Sequence, residues 1–392
     1  MIVYDTKDEV ITFHKNRAMP LTIVVQAYGR LDKTEKCLAN LLEYAPSTPF
    51  ELILEDNGSE GNEVINFYKN IDYPHKYIVR IDKNVSSVHG LNSVIRFVDS
   101  KYLLLISNDI FVTPKAIDNL IKCADSDERI GMVNPVSTNI THGQQEDLGG
   151  FLDEKDMINK ATMFNVSNNR LWEERMSLVP SAVLYRREVF SKIGLYDEDF
   201  IHDFGDDDIS FRIRRAGYKL MLCRDSFVHH DHPQKEREGD YFYKRSNDGR
   251  QLFINKYNGL DAWEDTKSIY GILKKLHRQE IGAVKKVLFV EPRCGTSILD
   301  VRNYYRKQGI LDVESYAFST DARYYIDLRS ITDKVIIDRF EFLHEYFSLQ
   351  TFDMVVFCQV ISNNEKYNSK KELLLTFLKK DGLFISVTDD IR

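Results

Sequence analysis

The chain has 392 residues, of which 43% are hydrophobic and 12% aromatic, so it can form sizeable cores, suits two domains and is not disordered. Its formal net charge of -7 argues against a nucleic-acid partner, because an acidic chain gains nothing from counterion release. The apolar runs are of strand length, so no membrane span is expected. Five widely spaced cysteines without a CxxC pair indicate free thiols, and with an acidic N-terminus unlike a signal peptide they predict a cytoplasmic protein.

Short apolar runs alternate with helical stretches in the first part of the chain. Strands are predicted at residues 21–26, 50–54, 76–81 and 102–106. Helices are predicted between them, at residues 32–44, 63–69 and 84–98. This alternation predicts an α/β fold with a mostly parallel central sheet. Ligands bind such sheets beyond the carboxyl ends of the strands, so the polar clusters that follow the strands hold the candidate site residues.

The middle of the chain is less regular. Residues 137–176 are rich in Asn, Asp, Glu and Met without a clear pattern, so an acceptor-side insertion or a mobile loop is expected there. Regular structure is predicted to return over residues 178–232 and to close with a helix at 241–257. The predicted organisation is a first domain at 1–258, a helical connector at 259–284 and a second domain at 285–392.

Asp56 is the first candidate site residue. It follows the second predicted strand and begins the turn cluster 56–59. A carboxylate at a strand end can accept a hydrogen bond from the imide N–H of uracil or thymine. The alternative is a turn residue that bonds its own backbone, and both interpretations stay open.

An acid and a histidine cluster are the candidate metal ligands. Asp109 follows the fourth predicted strand, where a carboxylate suits a divalent cation that bridges a pyrophosphate. Asn108 or Asp109 could also cap the following helix, and the two roles can coexist. Three histidines lie within four residues, at His229, His230 and His232, and a neutral imidazole at a strand end can complete a metal site.

Three consecutive acids begin a predicted helix at Asp206, Asp207 and Asp208. The helix dipole alone favours negative charge at that position. Asp208 and Arg212 stand four residues apart, which predicts an intrahelical ion pair. Asp206 and Asp207 are left as candidates for a general base that deprotonates an acceptor hydroxyl.

In this order, the clusters resemble the inverting glycosyltransferases of family 2, which have the GT-A fold, over residues 20–257. The segments that carry the resemblance are 24–30, 54–59, Asn84 with Asn92, 105–109, 186–190, 194–200, 206–218, 228–230 and 250–257. Each segment alone is weakly specific, but the series in the family's order is strongly specific. Three positions depart from the pattern: Ser107 replaces the first acid of the DxD motif, Ser86 a glycine and Gly205 a glutamate.

The resemblance implies a role for each matched position. The residues that would bind the nucleotide-sugar donor are Ala27, Tyr28, Arg30, Asp56, Asn84, Asn92, Asn108 and Asp109. Asp109 and His229 would hold a divalent metal, Mn²⁺ or Mg²⁺. Asp206 would be the base, with Asp207 as its rival. The acceptor oxygen would attack the anomeric carbon in line while the metal stabilises the departing diphosphate.

The function implied is therefore an inverting, metal-dependent glycosyltransferase that takes a nucleotide diphosphate sugar, with a UDP-sugar favoured. Its acceptor would be a hydroxyl of a surface glycan, or a Ser or Thr of a protein such as flagellin. A non-catalytic nucleotide-sugar-binding module is the alternative from another class. A bifunctional glycosyltransferase-methyltransferase is a third hypothesis.

The last part of the chain, residues 285–392, resembles the fold of S-adenosylmethionine-dependent methyltransferases, giving a second, Rossmann-like α/β domain. A strand at 286–290 ends in an acid and a turn, so S-adenosylmethionine would bind at residues 291–295, with Asp321 at its ribose. Pro292 and Arg293 interrupt the expected Gly-x-Gly, which keeps the backbone from close approach to a ligand. A degenerate domain used for packing or for homo-oligomerisation is therefore preferred. The chain ends where that fold normally adds strands, as a truncated form would.

Overall fold

The structure is a computed structural model that describes residues 2–5, 8–9, 19–201, 203–232, 240–276 and 284–387. The chain forms two compact units, one of Met1–Glu173 with Ser177–Leu252 and the other of Glu174–Met176 with Phe253–Arg392. The first unit thus ends at residue 252, before the predicted limit at 258. The segment predicted as a connector belongs to the second unit.

The first unit is built on one sheet. Its strands are β1 (Ile2–Asp5), β2 (Asp8–Glu9), β3 (Leu21–Ala27), β4 (Phe50–Asp56), β5 (Lys76–Arg80), β6 (Tyr102–Ser107), β7 (Ile110–Phe111), β8 (Ile130–Ser137), β9 (Trp172–Arg175), β10 (Ala182–Arg186) and β11 (Lys219–His230). Their order is β2-β1-β5-β4-β3-β6-β10-β8-β11-β7, and β9 pairs with β11 off this path. Strands β5, β4, β3 and β6 are parallel to one another, as predicted, and β10 is antiparallel to both of its neighbours.

Both faces of this sheet are covered. Leu21, Ile23 and Val25 of β3 lie in one apolar core, whereas Val24 lies in the core on the opposite face. A strand buried on both faces reads as a continuous apolar run, which is why the sequence shows no alternation here. The helices are α1 (Leu31–Glu43), α2 (Glu63–Asn70), α3 (Ser87–Ile95), α4 (Ala116–Asp125), α5 (Glu154–Phe164), α6 (Glu188–Ile193), α7 (Gly205–Arg215) and α8 (Asp240–Lys256), the last of which spans residue 252.

The irregular region at 137–176 contains more structure than its composition predicted. It holds α5, a 3₁₀ turn at Asn169–Leu171 and strand β9. Asp153 caps α5, since its side chain accepts a hydrogen bond from the backbone N–H of Asp156 at 2.8 Å. Only Met157 and Ala161 of this helix are buried. The apolar stripe is therefore too narrow for sequence periodicity to reveal it.

The second unit is a doubly wound α/β domain. Its strands are β12 (Lys286–Val290), β13 (Glu314–Ser319), β14 (Lys334–Ile337), β15 (Phe352–Phe357) and β16 (Leu378–Ser386), and its helices are α9 (Tyr270–Leu276), α10 (Thr296–Lys307), α11 (Tyr325–Ile331), α12 (Leu343–Tyr346) and α13 (Asn364–Leu375). The strands are all parallel, in the order β14-β13-β12-β15-β16. In this order the connections change direction at β12, where such sheets open a crevice at their carboxyl edge.

All five cysteines are buried and free, as the sequence predicted. Among the described residues, no helix has the length and the apolar character that crossing a membrane requires.

Candidate active site

The turn that follows β4 presents a buried carboxylate. Asp56 ends β4 with 1% of its surface exposed, and its Oδ1 accepts a hydrogen bond from the backbone N–H of Ser59 at 2.9 Å. Its Oδ2 has no hydrogen-bond partner within the described ranges and lies 3.8 Å from Nε of Arg80. A Cβ on Gly58 would fall 2.2 Å from the backbone of Lys83, so only glycine permits this turn. Asp56 therefore stabilises its own turn through Oδ1, while its Oδ2 can still accept a hydrogen bond from a ligand.

The loop that follows β3 runs beside this turn. The backbone N–H of Asn57 donates to the carbonyl of Ala27, which is buried, at 2.8 Å. Tyr28 is about half exposed, at 53%. Arg30 is also exposed, and its guanidinium donates to both carboxylate oxygens of Asp32, at 3.0 and 3.1 Å. Tyr28 therefore keeps a free ring face at the loop, whereas the guanidinium of Arg30 is already held by its neighbour.

The three asparagines expected to bind a donor are used in different ways. Asn84 is exposed, and its Oδ1 accepts from the backbone N–H of Ser86 at 3.0 Å, which sets the start of α3. Asn108 donates to Oγ1 of Thr34 at 2.9 Å and so ties the end of β6 to α1. These two contacts leave part of each amide open.

Asn92 is fully engaged inside the protein. It is 2% exposed, and its Nδ2 donates to the carbonyl of Tyr196 at 2.9 Å and to Oε1 of Glu198 at 3.0 Å. Its Oδ1 accepts from the backbone N–H of Tyr196 at 3.0 Å. Asn92 thus anchors the segment at 196–198, and this geometry does not support the donor-binding role implied for it, which stays a prediction.

A candidate metal centre lies where β6 and β11 end. Asp109, His230 and His232 each offer one ligand atom, and these atoms lie within 4.8 Å of one another. Oδ2 of Asp109 is 3.4 Å from Nε2 of His230 and 3.6 Å from Nδ1 of His232. Oδ1 of Asp109 and Nδ1 of His230 have no hydrogen-bond partner among the residues described. A carboxylate oxygen and an imidazole nitrogen that are buried without partners fit a cation as the missing neighbour.

The strands and a lysine fix this group in place. His230 pairs with Ile110 across β11 and β7, and the backbone N–H of Asp231 donates to the carbonyl of Asp109 at 2.9 Å. Lys33 of α1 donates to the carbonyl of Asp231 and lies 3.6 Å from its carboxylate. Burial alone would raise the pKa of Asp109, but the hydrogen bond from His230 and the neighbouring positive charges hold that pKa below its ordinary value.

His229 lies outside this group, so its geometry does not support the metal role that the resemblance implies for it. Its Nδ1 is 2.9 Å from Oγ1 of Thr138, and its ring packs against Phe111 and edge-on against Phe151. Burial lowers the pKa of His229 and favours its neutral form. The rings of His230 and His232 stack on each other with their centroids 5.4 Å apart, whereas successive side chains of β11 point to opposite faces, which sets His229 apart from His230.

Helix α7 supplies the acids proposed for general-base catalysis. Arg212 binds the buried carboxylate of Asp208 at 2.7 and 2.8 Å, so the predicted intrahelical pair is confirmed. Oδ1 of Asp207 accepts from the hydroxyl of Ser177 at 2.7 Å, a contact that the sequence did not signal. Asp206 is half-buried, and its Oδ1 accepts from the backbone N–H of Asp207 at 3.2 Å.

The two candidate bases are not equivalent. Burial raises the pKa of both Asp206 and Asp207, and the negative charge of Asp206 raises the pKa of Asp207 further. Asp206 stands three and seven residues before Ile209 and Ile213, which lie in the core under the sheet. Side chains at this spacing share one stripe of a helix, so Asp206 faces the sheet while Asp207 faces Ser177.

The second unit has a cavity of about 750 Å³ at the carboxyl edge of its sheet. Glu291 and Asp321, the residues expected to hold S-adenosylmethionine, both line it. Glu291 accepts hydrogen bonds from Ser319 and Thr320, and Asp321 is paired with Arg323 at 2.6 Å. These acids are thus engaged within the domain.

Comparisons with known proteins address the first unit. Residues 22–194 match the family model described as Glycosyl transferase family 2. The chain is 22% identical over 325 residues to "Uncharacterized glycosyltransferase YfnE" of Bacillus subtilis (strain 168), covering 70% of this chain and 82% of that protein. It is 21% identical over 249 residues to a chondroitin synthase of Escherichia coli, covering 56% of this chain and only 36% of that protein.

Two solved structures are also similar. One is the mannosyltransferase PcManGT of Pyrobaculum calidifontis in complex with GDP-Man and Mn²⁺, with a TM-score of 0.43, 14% identity and coverage of 68% of this chain and 67% of that chain. The other is TarS of S. aureus, with a TM-score of 0.43, 12% identity and coverage of 60% and 40%. The match to the glycosyl transferase family 2 model, over residues 22–194, includes Asp56 and Asp109.

Proposed function

We propose that the first unit transfers a sugar from a nucleotide diphosphate donor to a hydroxyl acceptor, with inversion at the anomeric carbon. The observation that carries this proposal is the group of Asp109, His230 and His232 at the carboxyl edge of a family 2 glycosyltransferase sheet. An acid and two imidazoles within reach of one point suit a divalent cation, and such a cation can stabilise a diphosphate leaving group. The proposed sugar transfer and the arrangement of these three residues therefore both indicate a divalent cation.

The proposed metal ligands are Asp109, His230 and His232. A cation held there would neutralise charge on the diphosphate as the sugar leaves. Mg²⁺ prefers an all-oxygen shell, whereas two imidazoles suit a softer ion. We therefore favour Mn²⁺ over Mg²⁺ for this chain. Lys33 adds a positive charge that the sequence did not point to, and its ammonium group is anchored to Asp231.

Asp56 is proposed to bind the base of the nucleotide. Its Oδ2 is buried and lacks a hydrogen-bond donor among the described residues, and the imide N–H of uracil would supply one. We favour a UDP-sugar, and because the N1–H of guanine is a donor as well, the comparison of UDP- and GDP-sugars below tests this choice. The half-exposed ring of Tyr28 is then placed to cover the base.

Asp206 is proposed as the general base. It lies on the sheet-facing stripe of α7, where an acceptor hydroxyl would approach the anomeric carbon from the side opposite the diphosphate. Asp207 is held by Ser177 instead. The acceptor is a hydroxyl of a surface glycan or of a protein Ser or Thr, with flagellin as one example of such a protein.

The test measures binding and turnover separately. Binding of MnCl₂ in the presence of UDP is followed by calorimetry in the unmodified chain and in His230→Ala, His232→Ala and His229→Asn. Loss of an outer-shell partner alone weakens metal binding by about 10–100-fold, so each of the first two changes should weaken it by at least about 100-fold. His229→Asn is the matched control and should bind as the unmodified chain does.

Asp206→Asn then separates an enzyme from a binding module. The variant should bind UDP and Mn²⁺ normally but lose hydrolysis or transfer of the donor sugar. Normal metal binding by His230→Ala and His232→Ala would reject the proposed metal centre. Absence of turnover in the unmodified chain across UDP-, dTDP- and GDP-sugars would favour the non-catalytic module.

A further inference from the structure

A buried hydroxyl lies at the start of β10, beside strand β6, which leads to Asp109. Ser181 immediately precedes β10 and is 7% exposed. Its Oγ has no hydrogen-bond partner in the described portion of the chain. A buried polar atom without a partner is uncommon in folded proteins, and such an atom commonly bonds a ligand or a water molecule.

The strand register locates this hydroxyl. Ala182 of β10 pairs with Ile106 of β6, so Ser181 comes opposite Ser107, two residues before Asp109. Val183, two positions along from Ser181, lies in the core that also contains Ile209 of α7. Side chains two apart on an extended segment share a face, so Ser181 is on the sheet face that α7 covers.

The segment that carries Ser181 is held rigidly. The hydroxyl of Ser177 donates to Asp207, and the backbone N–H of Val179 donates to Oε1 of Gln144 at 2.7 Å. The carbonyl of Val179 accepts from Nδ2 of Asn134 at 2.8 Å and from Nε2 of Gln144 at 3.0 Å. Four hydrogen bonds to three elements fix the position of the segment before any ligand arrives.

Asn134 adds a second open group on the same face. It is fully buried in β8, between Met132 and Val136 of the core that α7 covers. Its Nδ2 is used by the carbonyl of Val179, but its Oδ1 lacks a donor among the described residues. A hydroxyl and an amide oxygen, both neutral and both open, together match the hydroxyl groups of a sugar rather than a charged group.

We propose that Ser181 hydrogen-bonds a hydroxyl of the donor sugar and helps to select which sugar the enzyme accepts. This inference rests on the function proposed above. The sugar is attached to the diphosphate, so it would lie between the cation at Asp109 and the base at Asp206. Ser181 comes opposite Ser107, two residues before Asp109, on the sheet face that α7 covers. A site built to bond a hydroxyl discriminates strongly against analogues that lack it.

The experiment compares each nucleotide with its sugar conjugate. Calorimetry with MnCl₂ measures the Kd of UDP and of UDP-glucose, UDP-galactose and UDP-N-acetylglucosamine, and likewise of GDP with GDP-mannose. The readout is the ratio of the Kd of the nucleotide to the Kd of its best sugar conjugate, in the unmodified chain and in Ser181→Ala. One neutral hydrogen bond corresponds to about a fivefold change in affinity, so the ratio should fall about fivefold while the Kd of the free nucleotide stays within about twofold.

Ser226→Ala is the matched control. Ser226 is also buried, but its Oγ donates to the carbonyl of Ala116 at 2.9 Å. Ser226→Ala should lower the melting temperature and leave the ratio unchanged. Ser181→Ala should leave the melting temperature unchanged or raise it, because it removes an atom that makes no hydrogen bond within the protein.

Two results would overturn the inference while leaving the proposed function intact. One is an unchanged ratio in Ser181→Ala when the unmodified chain binds a nucleotide sugar. The other is a loss of stability like that of Ser226→Ala, which would show that the hydroxyl is bonded inside the protein. If the unmodified chain binds none of these nucleotides or sugar conjugates, the proposed function fails and this inference fails with it.

Discussion

Replacing Asn92 by Ala distinguishes a binding residue from a structural anchor. The amide of Asn92 makes three hydrogen bonds, two to the backbone of Tyr196 and one to the carboxylate of Glu198. Alanine removes all three and leaves the N–H and the carbonyl of Tyr196 without these partners in a buried position. The family resemblance instead implies that Asn92 contacts the donor. A structural anchor predicts that the variant loses stability, whereas a binding residue predicts that it loses affinity for the nucleotide.

The expected loss of stability follows from the contacts. Each hydrogen bond contributes about 0.5–1.5 kcal/mol net, and stranding a buried backbone group costs about 1–3 kcal/mol. The free energy of unfolding of the first unit should therefore fall by about 3–5 kcal/mol in Asn92→Ala. For a domain of this size, about 1 kcal/mol shifts the melting temperature by about 2–4 °C. The expected decrease is thus about 6–20 °C.

Urea titration and thermal melts give the stability, and calorimetry with UDP and MnCl₂ at low temperature gives the affinity. Asn84→Ala is the matched control, because Asn84 is exposed and makes a single local hydrogen bond to Ser86. It should change the free energy of unfolding by about 1 kcal/mol or less. If Asn92→Ala melts like the unmodified chain but binds UDP poorly, the structural assignment of Asn92 is wrong.

Three further outcomes are expected. Because the folded-state pKa of Asp207 is raised, its ionisation opposes folding as pH rises above about 4, so Asp207→Asn should increase the free energy of unfolding in urea at pH 8 and not at pH 4. In Gly90→Ala the new Cβ would lie 2.2 Å from Oε1 of the buried Glu55, and thermal melts should show a loss of about 1–3 kcal/mol. Titration of S-adenosylmethionine at high concentration should give no heat, because Glu291 and Asp321 are engaged; measured binding would revive the bifunctional hypothesis.

The fold was predictable because its strands are buried on both faces. Continuous apolar runs, separated by polar turns and helical stretches, predicted the bounds of β3, β4, β5 and β6 to within one or two residues. Helix α5 was not predicted, because only two of its residues face a core. Its cap at Asp153 was a local signal, but capping residues also occur in turns and do not establish a helix without an apolar stripe.

The metal centre was predictable as a location but not residue by residue. The sequence placed an acid after β6 and histidines after β11, and the structure brings Asp109, His230 and His232 together. The family pattern chose His229, the first of the cluster, whereas the structure stacks the rings of His230 and His232 with their centroids 5.4 Å apart. The pairing of β11 with β7 determines which way the side chains of His229 and His230 point. A two-residue strand leaves no readable pattern in a sequence.

The choice between Asp206 and Asp207 as the base depends on the direction in which each side chain points from α7. Both acids lie in the first turn of α7, where the dipole favours either. Consecutive helical side chains point about 100° apart, so only one of them can share the stripe of Ile209 and Ile213. Those two apolar residues were visible in the sequence, and their spacing already selects Asp206 for the side of the sheet. The contact of Asp207 with Ser177, in contrast, joins residues 30 positions apart, and no local pattern encodes it. One helical periodicity and one long-range hydrogen bond therefore give Asp206 and Asp207 different surroundings.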